Sequence, residues 1–254
     1  MLKKIIPILL AVPSFAHAIV PISVEKDISQ GLSGSAAISF DYEALDSKKS
    51  EMDFDSDIRL NYRYSNQLFK VIYEGSYSEN NSGVTDEENF FHFRYIEIEF
   101  WNQLNLETFF QFQNNEFEDL SSRTLLGSGL GDVGYKQSLG NMDLTLGYFA
   151  GVMYELEKSV RDPSLEASSI RGAFNFNASL ENKDYGTRFY FNAYYQPKLD
   201  SFNDYRAVAI LGFETKAFEN TVIGISYDMN YDSDSFNGAY NKKENIGTYL
   251  KYNF

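Results

Sequence analysis

The chain of 254 residues has no cysteine, one tryptophan, five prolines and two histidines. Without cysteine, neither a disulfide framework nor thiol chemistry is open to it. Beyond the first residues no apolar run approaches the roughly 20 that a membrane-spanning helix needs. The mean hydropathy is −0.36. Basic side chains are also scarce, 22 against 36 acids, for a net charge of −14. Phosphate backbones are bound by the opposite sign, so nucleic acid is not an expected partner. What the chain has in abundance is aromatic: 19 Tyr and 22 Phe, bringing the aromatic share to 17%. An aromatic-rich chain that is polar on average fits a transmembrane barrel, where outward apolar residues alternate with inward polar ones.

Residues 1–18 are set apart. Lys3 and Lys4 precede a short apolar core, Ile5 to Val12, and Ala16-His17-Ala18 is a small-x-small cleavage site. This order predicts a secretory signal peptide cut after Ala18. The two lysines account for part of the 22 basic residues, so the mature chain carries 20 against 36 acids, about −16. Residues 19–30 then form an N-terminal segment long enough to plug a barrel, as is the loop around Pro163.

From residue 31 a period of two recurs. Ile58, Leu60, Tyr62 and Tyr64 share one parity, while Asp57, Arg59, Asn61 and Arg63 share the other. Phe69, Val71, Tyr73 and Tyr77 do the same, as do Leu144 to Tyr154, Ile170 to Leu180, Phe189 to Tyr195, Ile223 to Tyr231 and Ile246 to Phe254. Such repetition predicts an all-β, closed antiparallel up-and-down barrel over residues 31–254. Twelve strands are expected, at 31–44, 53–65, 67–78, 88–101, 104–115, 122–137, 141–155, 167–180, 185–196, 204–218, 220–232 and 243–254. Short turns alternate with longer polar connections at 45–52, 79–87, 116–121, 156–166, 197–203 and 233–242. Both termini fall on the short-turn side, the periplasmic side of an outer membrane barrel. Between Tyr95 and Ile96 the apolar parity switches, which predicts a β-bulge there. The glycine-rich strand 122–137 alternates poorly and is expected to kink.

Several stretches carry a family likeness. Arg123 to Gly131, Tyr195-Gln196-Pro197, Asp204-Tyr205-Arg206 and Tyr231-Asp232-Ser233, with Tyr252-Asn253-Phe254 at the end, resemble the salt-induced outer membrane proteins. That is a domain-of-unknown-function family of proteobacterial outer membrane β-barrels. The resemblance covers most of the mature chain. It implies an integral outer membrane barrel and supplies no activity or site residues. The terminal Tyr252 and Phe254 resemble the aromatic signal read by the barrel assembly machinery.

Catalysis needs a general base, and among outer membrane barrels the phospholipase and the omptin proteases both use histidine. Past the signal peptide only His92 remains, between Phe91 and Phe93, with no serine beside it. It reads as a lumen or girdle residue, and no enzyme is expected. Gly129-Leu130-Gly131-Asp132-Val133-Gly134 matches G-x-G-x-x-G, but a strand follows where a dinucleotide site needs a helix. The acids Asp86-Glu87-Glu88, Glu116, Glu118-Asp119 and Asp232 to Asp234 fall in expected loops without the ligand spacing of a calcium site. No cofactor or metal is expected.

The inward charges are the candidate site. Arg59, Arg63, Lys70, Glu74 and Arg94 are expected to line the lumen. So are Glu97, Glu99, Glu107, Arg171 and Arg188, with Arg206 and Asp228 further up. Opposite signs on neighbouring strands predict cross-strand ion pairs. Twelve strands about 4.8 Å apart and tilted about 40° enclose a backbone diameter near ~24 Å. Inward arginines with Tyr190 and Tyr194 are expected to reduce the bore to a narrow channel. The expected function is a monomeric, porin-like outer membrane barrel passing small solutes or ions, with outer membrane lipid and lipopolysaccharide as its surroundings. Two alternatives stand beside it: a closed structural barrel with acidic outer loops, and a lipid-modifying enzyme.

Overall fold

A computed structural model describes residues 28–44, 50–115, 119–234 and 241–253. Residues 1–18, where a signal peptide is expected, residues 19–27 of the expected N-terminal segment, and Glu116, Glu118 and Phe254 lie outside the described residues. The fold is all-β, with no helix among the described residues. Its twelve strands are β1 (Gly31–Ala44), β2 (Ser50–Tyr64), β3 (Gln67–Asn80), β4 (Gly83–Trp101), β5 (Leu104–Asn115) and β6 (Leu120–Leu139), then β7 (Met142–Ser159), β8 (Glu166–Asn182), β9 (Thr187–Lys198), β10 (Ser201–Phe218), β11 (Thr221–Asp232) and β12 (Lys242–Asn253). Each strand pairs antiparallel with its sequence neighbours, and β1 meets β12 through Ser35↔Asn253 and Ala36↔Tyr252 to close the barrel.

Alternation sorts the two faces. Leu126, Tyr148, Val152, Ile170, Leu211 and Ile246 point away from the axis and are 52–71% exposed. A water-soluble chain does not turn a continuous belt of this kind outward. Aromatic residues mark both rims, with Tyr62, Tyr64, Trp101, Tyr185 and Phe218 at the short-turn end and Phe54, Tyr154 and Phe202 at the other. Neighbouring outward rings pack across strands, as in Phe69–Tyr95 (centroids 5.3 Å) and Phe189–Phe213 (4.8 Å). Cross-strand ring pairs are the unit of sheet stabilisation.

Three expectations are corrected. The turn joining β3 to β4 is only residues 81–82, and that joining β9 to β10 only 199–200, so the expected loops 79–87 and 197–203 are mostly strand. Parity does not switch at Tyr95-Ile96. Ile96 and Ile98 continue inward, and the irregular register lies between Glu97 and Trp101. Glu99 sits in that bulge with φ +57°. The cause is packing: Ile96 and Ile98 meet inward Leu68, so apolar character does not mean outward at this place. The glycine-rich strand β6 does shift register, between Asp132 and Tyr135.

The glycines of β6 have a packing reason. Gly127 and Gly131 are opposite Phe109 and Met153, and Phe149, or beside them, and the rings lie flat where a side chain would stand. A Cβ on Gly129 would come within 2.4 Å of the Ala150 carbonyl oxygen and 2.5 Å of the Gly151 Cα. Tyr190 covers Gly212 and Tyr249 covers Gly224 in the same way, each from the directly paired position. Rings laid on glycines hug the wall instead of crossing the bore. Gly129→Val should therefore destabilise the barrel by about 1–3 kcal/mol, read as a lower urea midpoint for the folded, heat-modifiable form in detergent. Ala150→Val, which adds to the outer face, should change it by less than about 0.5 kcal/mol.

Candidate functional site: the charged lumen

The inner face carries its charge in three groups. The first lies in the half of the barrel away from the short turns. Residues two apart on one strand share a face, so Glu155 and Glu157 of β7 both project inward. Register places Arg123 of β6 opposite Glu157 and Arg206 of β10 opposite Asp232 of β11. Arg123 Nη2 lies 2.6 Å from Glu157 Oε1. Arg171 of β8 donates from Nε to Glu155 at 2.7 Å, and its Nη1 lies 2.9 Å from Asp204. Arg206 donates to Glu155, to both oxygens of Glu157 at 3.0 Å, and from Nε to Asp232 at 2.7 Å. Strands β8 and β9 lie between β7 and β10, so Arg206 spans a chord of the barrel rather than a ladder step. The guanidinium fork makes this possible, offering five donors in one plane to several carboxylates. The three arginines are 3–6% exposed along their side chains.

The second group is at mid-height on β3 to β5. Arg94 pairs with Glu107 at 2.8 Å, and its guanidinium lies 5.4 Å from the Phe109 ring centroid and 5.7 Å from that of Phe149. Cations are attracted to ring faces at such distances. Lys70 is opposite Arg94 in register and buried. His92 is stacked between Phe90 and Phe109, and its Nε2 accepts from Arg94 Nε at 3.4 Å. The ring is 2% exposed, so its described neighbours make it part of the packed wall.

The third group is reached by water. Arg59 of β2 bonds Asp57 on its own strand at 2.9 Å and Glu74 of β3 at 2.8 Å, yet its side chain is 40% exposed. On the other side of β1, Lys251 of β12 pairs with Glu214 of β10, which also accepts from the Tyr249 hydroxyl at 2.7 Å. Tyr249 and Tyr190 hydroxyls are 3.2 Å apart. Arg188 stands 4.0 Å from Glu214. Lys251 and Arg188 are 30% and 28% exposed.

Of the residues expected to line the lumen, Arg59, Arg63, Lys70, Glu74, Arg94, Glu107, Arg171 and Arg188 face inward. Glu97 does not. Its parity is that of Phe93 and Tyr95, and it accepts from the Tyr95 hydroxyl and from Gln67 at 3.4 Å on the outer side. Glu99 lies in the bulge and is exposed. Three of the expected loop acids, Glu88, Asp119 and Asp232, are spent on the interior, while Glu87 and Asp234 are exposed. Glu88 is buried in β4 and accepts from Asn115 at 2.9 Å. Asp119 is buried, accepting from Ser159 at 2.9 Å and from the Arg161 amide at 2.7 Å. Asp232 is committed to Arg206. In the β7–β8 loop, the Ser164 hydroxyl and amide hold the Asp162 carboxyl below its usual range. No cluster fit to hold a metal exists among the described residues.

Sequence reasoning missed Arg123, Glu155, Glu157 and Asp204 as a site. The alternation of β7 up to Tyr154 already put Glu155 inward, and extending it by one step would have found Glu157. The strand was ended too early because charge was taken for loop.

No curated protein matches the chain in sequence. Among solved structures, the NanC porin is similar in fold, with TM-score 0.50 at 10% identity, covering 87% of this chain and 98% of its own. OmpT, an outer membrane protein of Vibrio cholerae, covers 88% and 97% at 11% identity, but its TM-score of 0.29 is too low to use. At such identities the likeness concerns fold alone. Residues 36–254 match one family throughout, and on that match the chain belongs to the family described as "Protein of unknown function, DUF481".

Proposed function

We propose that the chain is an outer membrane barrel that works as a narrow, non-enzymatic pore for passive diffusion of small solutes or ions. The short turns and both termini then face the periplasm, and the other rim faces outward. The observation that carries the reading is the exposure of Arg59, Arg188 and Lys251 inside a closed barrel. Their side chains point to the axis, yet water reaches 28–40% of each. The buried arginine–carboxylate network occupies β6 to β11 in the half away from the short turns, and the open path runs past Arg59 of β2, Lys251 of β12 and Arg188 of β9. Ions pass it between charges of both signs, which tune what goes through. The NanC protein is described as a porin, which agrees with this reading. The likeness to salt-induced outer membrane proteins belongs to it as well.

On this reading the surroundings are outer membrane lipid and lipopolysaccharide, and the barrel acts as a monomer. The assembly machinery would read the terminal aromatics, of which Tyr252 is exposed on the outer face. On this reading His92 takes no part in hydrolysis, since a general base must come within hydrogen-bond reach of its substrate and the ring is buried between Phe90 and Phe109. The purified protein is expected to hydrolyse neither phospholipid nor peptide.

Purified protein in planar bilayers should show discrete single-channel steps; a trace no different from bare lipid overturns the pore. Arg59→Glu should move the reversal potential in a salt gradient toward cations, by roughly a twofold change in permeability ratio. Arg206→Met should leave Glu155, Glu157 and Asp232 short of a partner and cost about 3–5 kcal/mol in detergent unfolding. The same substitution opens the chord across the lumen, so channels formed by the folded fraction should conduct more.

A further inference from the structure

The seam between the first and last strands is joined at one end only. Strand β1 pairs with β2 from Gly31↔Arg63 to Ala44↔Ser50, and β12 pairs with β11 from Thr221↔Tyr252 to Tyr231↔Lys242. Between β1 and β12 the described residues pair just at Ser35↔Asn253 and Ala36↔Tyr252, toward the short turns. That register, carried on, would bring Ala37 opposite Lys251 and Ala44 opposite Glu244. Residues 37–44 and 244–251 instead keep one partner strand each, β2 and β11. Strand runs of this length rise about 26 Å, and at a tilt of about 40° they cover about 20 Å of an apolar band about 25 Å tall. The parted edges therefore cross most of the membrane on the side away from the short turns, which is the outer-leaflet side on the reading above.

In an antiparallel strand, alternate residues turn both N–H and C=O toward the same neighbour. Half of each parted run therefore offers unpaired donors and acceptors to the seam. Hydrocarbon cannot satisfy them. Water from the lumen can, and so can a ligand with donors and acceptors of its own.

The side chains nearby narrow the choice of ligand. Arg59 of β2 faces Ser35, where the seam is still joined, and Lys251 of β12 is two residues from Asn253. The two cations thus stand at the foot of the parted seam, one on each side of β1, and are 40% and 30% exposed. Glu74 of β3 draws Arg59 away from the seam, and Glu214 of β10 draws Lys251 the other way. With Asp57, two cations meet three carboxylates, so the foot has no surplus positive charge for an anionic head. A head without net charge that donates and accepts hydrogen bonds suits both these groups and the edge amides. On the lipid side, Ile246 and Leu250 of β12 border the seam, 71% and 45% exposed. They offer an acyl tail the same apolar surface that membrane lipid meets.

We propose that the β1–β12 seam is a lateral portal between the lumen and the outer leaflet, and that its ligand is a single-chain amphiphile with an uncharged, hydrogen-bonding head. The head bonds the parted edges from the lumen side, and the tail lies outside along Ile246 and Leu250. As a binding seam this stands alone; as a route out of the lumen it rests on the pore reading.

The probe is monododecanoylglycerol with a diazirine near the end of its chain, photolysed with the folded barrel in nanodiscs. Labelling of residues 37–44 and 244–251 should exceed that of β5 and β6 by about tenfold, the preference of a specific over a general lipid contact. Even labelling around the belt overturns the portal. The chain has no native cysteine, so Phe40→Cys with Thr248→Cys, the positions that the continued register brings face to face, forms a clean lock across the seam. Oxidation should reduce seam labelling to the level of the belt, and labelling unmoved by the disulfide overturns the portal. Should the disulfide not form, amide exchange of the unsubstituted chain decides. Alternate amides of residues 244–251 should exchange about a hundredfold faster than their neighbours, and the amphiphile should slow them. Uniform protection overturns the parted seam, and fast exchange that the amphiphile leaves unchanged overturns the ligand. A disulfide-linked dimer formed readily through Thr248→Cys alone gives the edge to a second copy and overturns the amphiphile. Bilayer recordings separate the two readings. Channels with even labelling keep the pore and overturn the portal, whereas seam labelling without channels keeps the binding seam and overturns the pore.

Discussion

A backbone amide in hydrocarbon has no water to bond, and each one left unpaired costs several kcal/mol. That constraint governs this chain. Its outer belt of Leu, Ile, Val, Phe and Tyr can be stable only against lipid. A belt against lipid requires every strand to be paired on both sides, and an open sheet of twelve strands would leave two edges. Closure through Ser35↔Asn253 and Ala36↔Tyr252 joins the first strand to the last. The up-and-down order follows, because hairpins of two to a few residues pair each strand with the next as it forms.

Closure then determines what the inside can be. With a period of two, each outward apolar residue is matched by an inward position, and the sequence gives that face to charge, amide and hydroxyl. Charges taken from water need partners, and in this barrel they find them beyond the adjacent strand. Arg206 reaches Glu155 and Glu157 across two intervening strands, so the interior network braces the cylinder as well as lining it. Glycine sets the remaining space. Where Tyr190 and Tyr249 lie on Gly212 and Gly224, a large side chain occupies space on the wall that the glycine leaves open. The inward tyrosines expected to narrow the bore thus narrow it less than their size implies.

Strand number, order and facing were legible because period two, repeated, has one physical meaning. The resemblance to an outer membrane family pointed the same way. What was not legible shares one cause: hydrophobicity was taken as a proxy for direction. Ile96 and Ile98 are apolar and inward, because they cover each other, Leu68 and Ile28. Reading them as outward moved the bulge by several residues and turned Glu97 and Glu99 into the lumen. The same proxy ended β7 before Glu157 and made loops of Glu88 and Asp232, whose charge is balanced inside by partners distant in sequence. Pairings over such separations, 49 residues for Arg206 and Glu157, leave no local pattern to read.

The two departures from the polar interior point to a division of labour along the axis. Away from the short turns, charge meets charge in a buried lattice that resists collapse and admits little water. At the short-turn end of β3 and β4 the wall becomes apolar, and Ile28 packs on it. Arg59, part-way along β2, and Arg188 and Lys251, close to the short-turn ends of β9 and β12, keep contact with water. On the pore reading, a solute would meet these three side chains in water, because the arginines of the lattice are only 3–6% exposed. Discrimination would then rest on charged groups that water reaches although each is held by a carboxylate, Arg59 by Asp57 and Glu74 and Lys251 by Glu214.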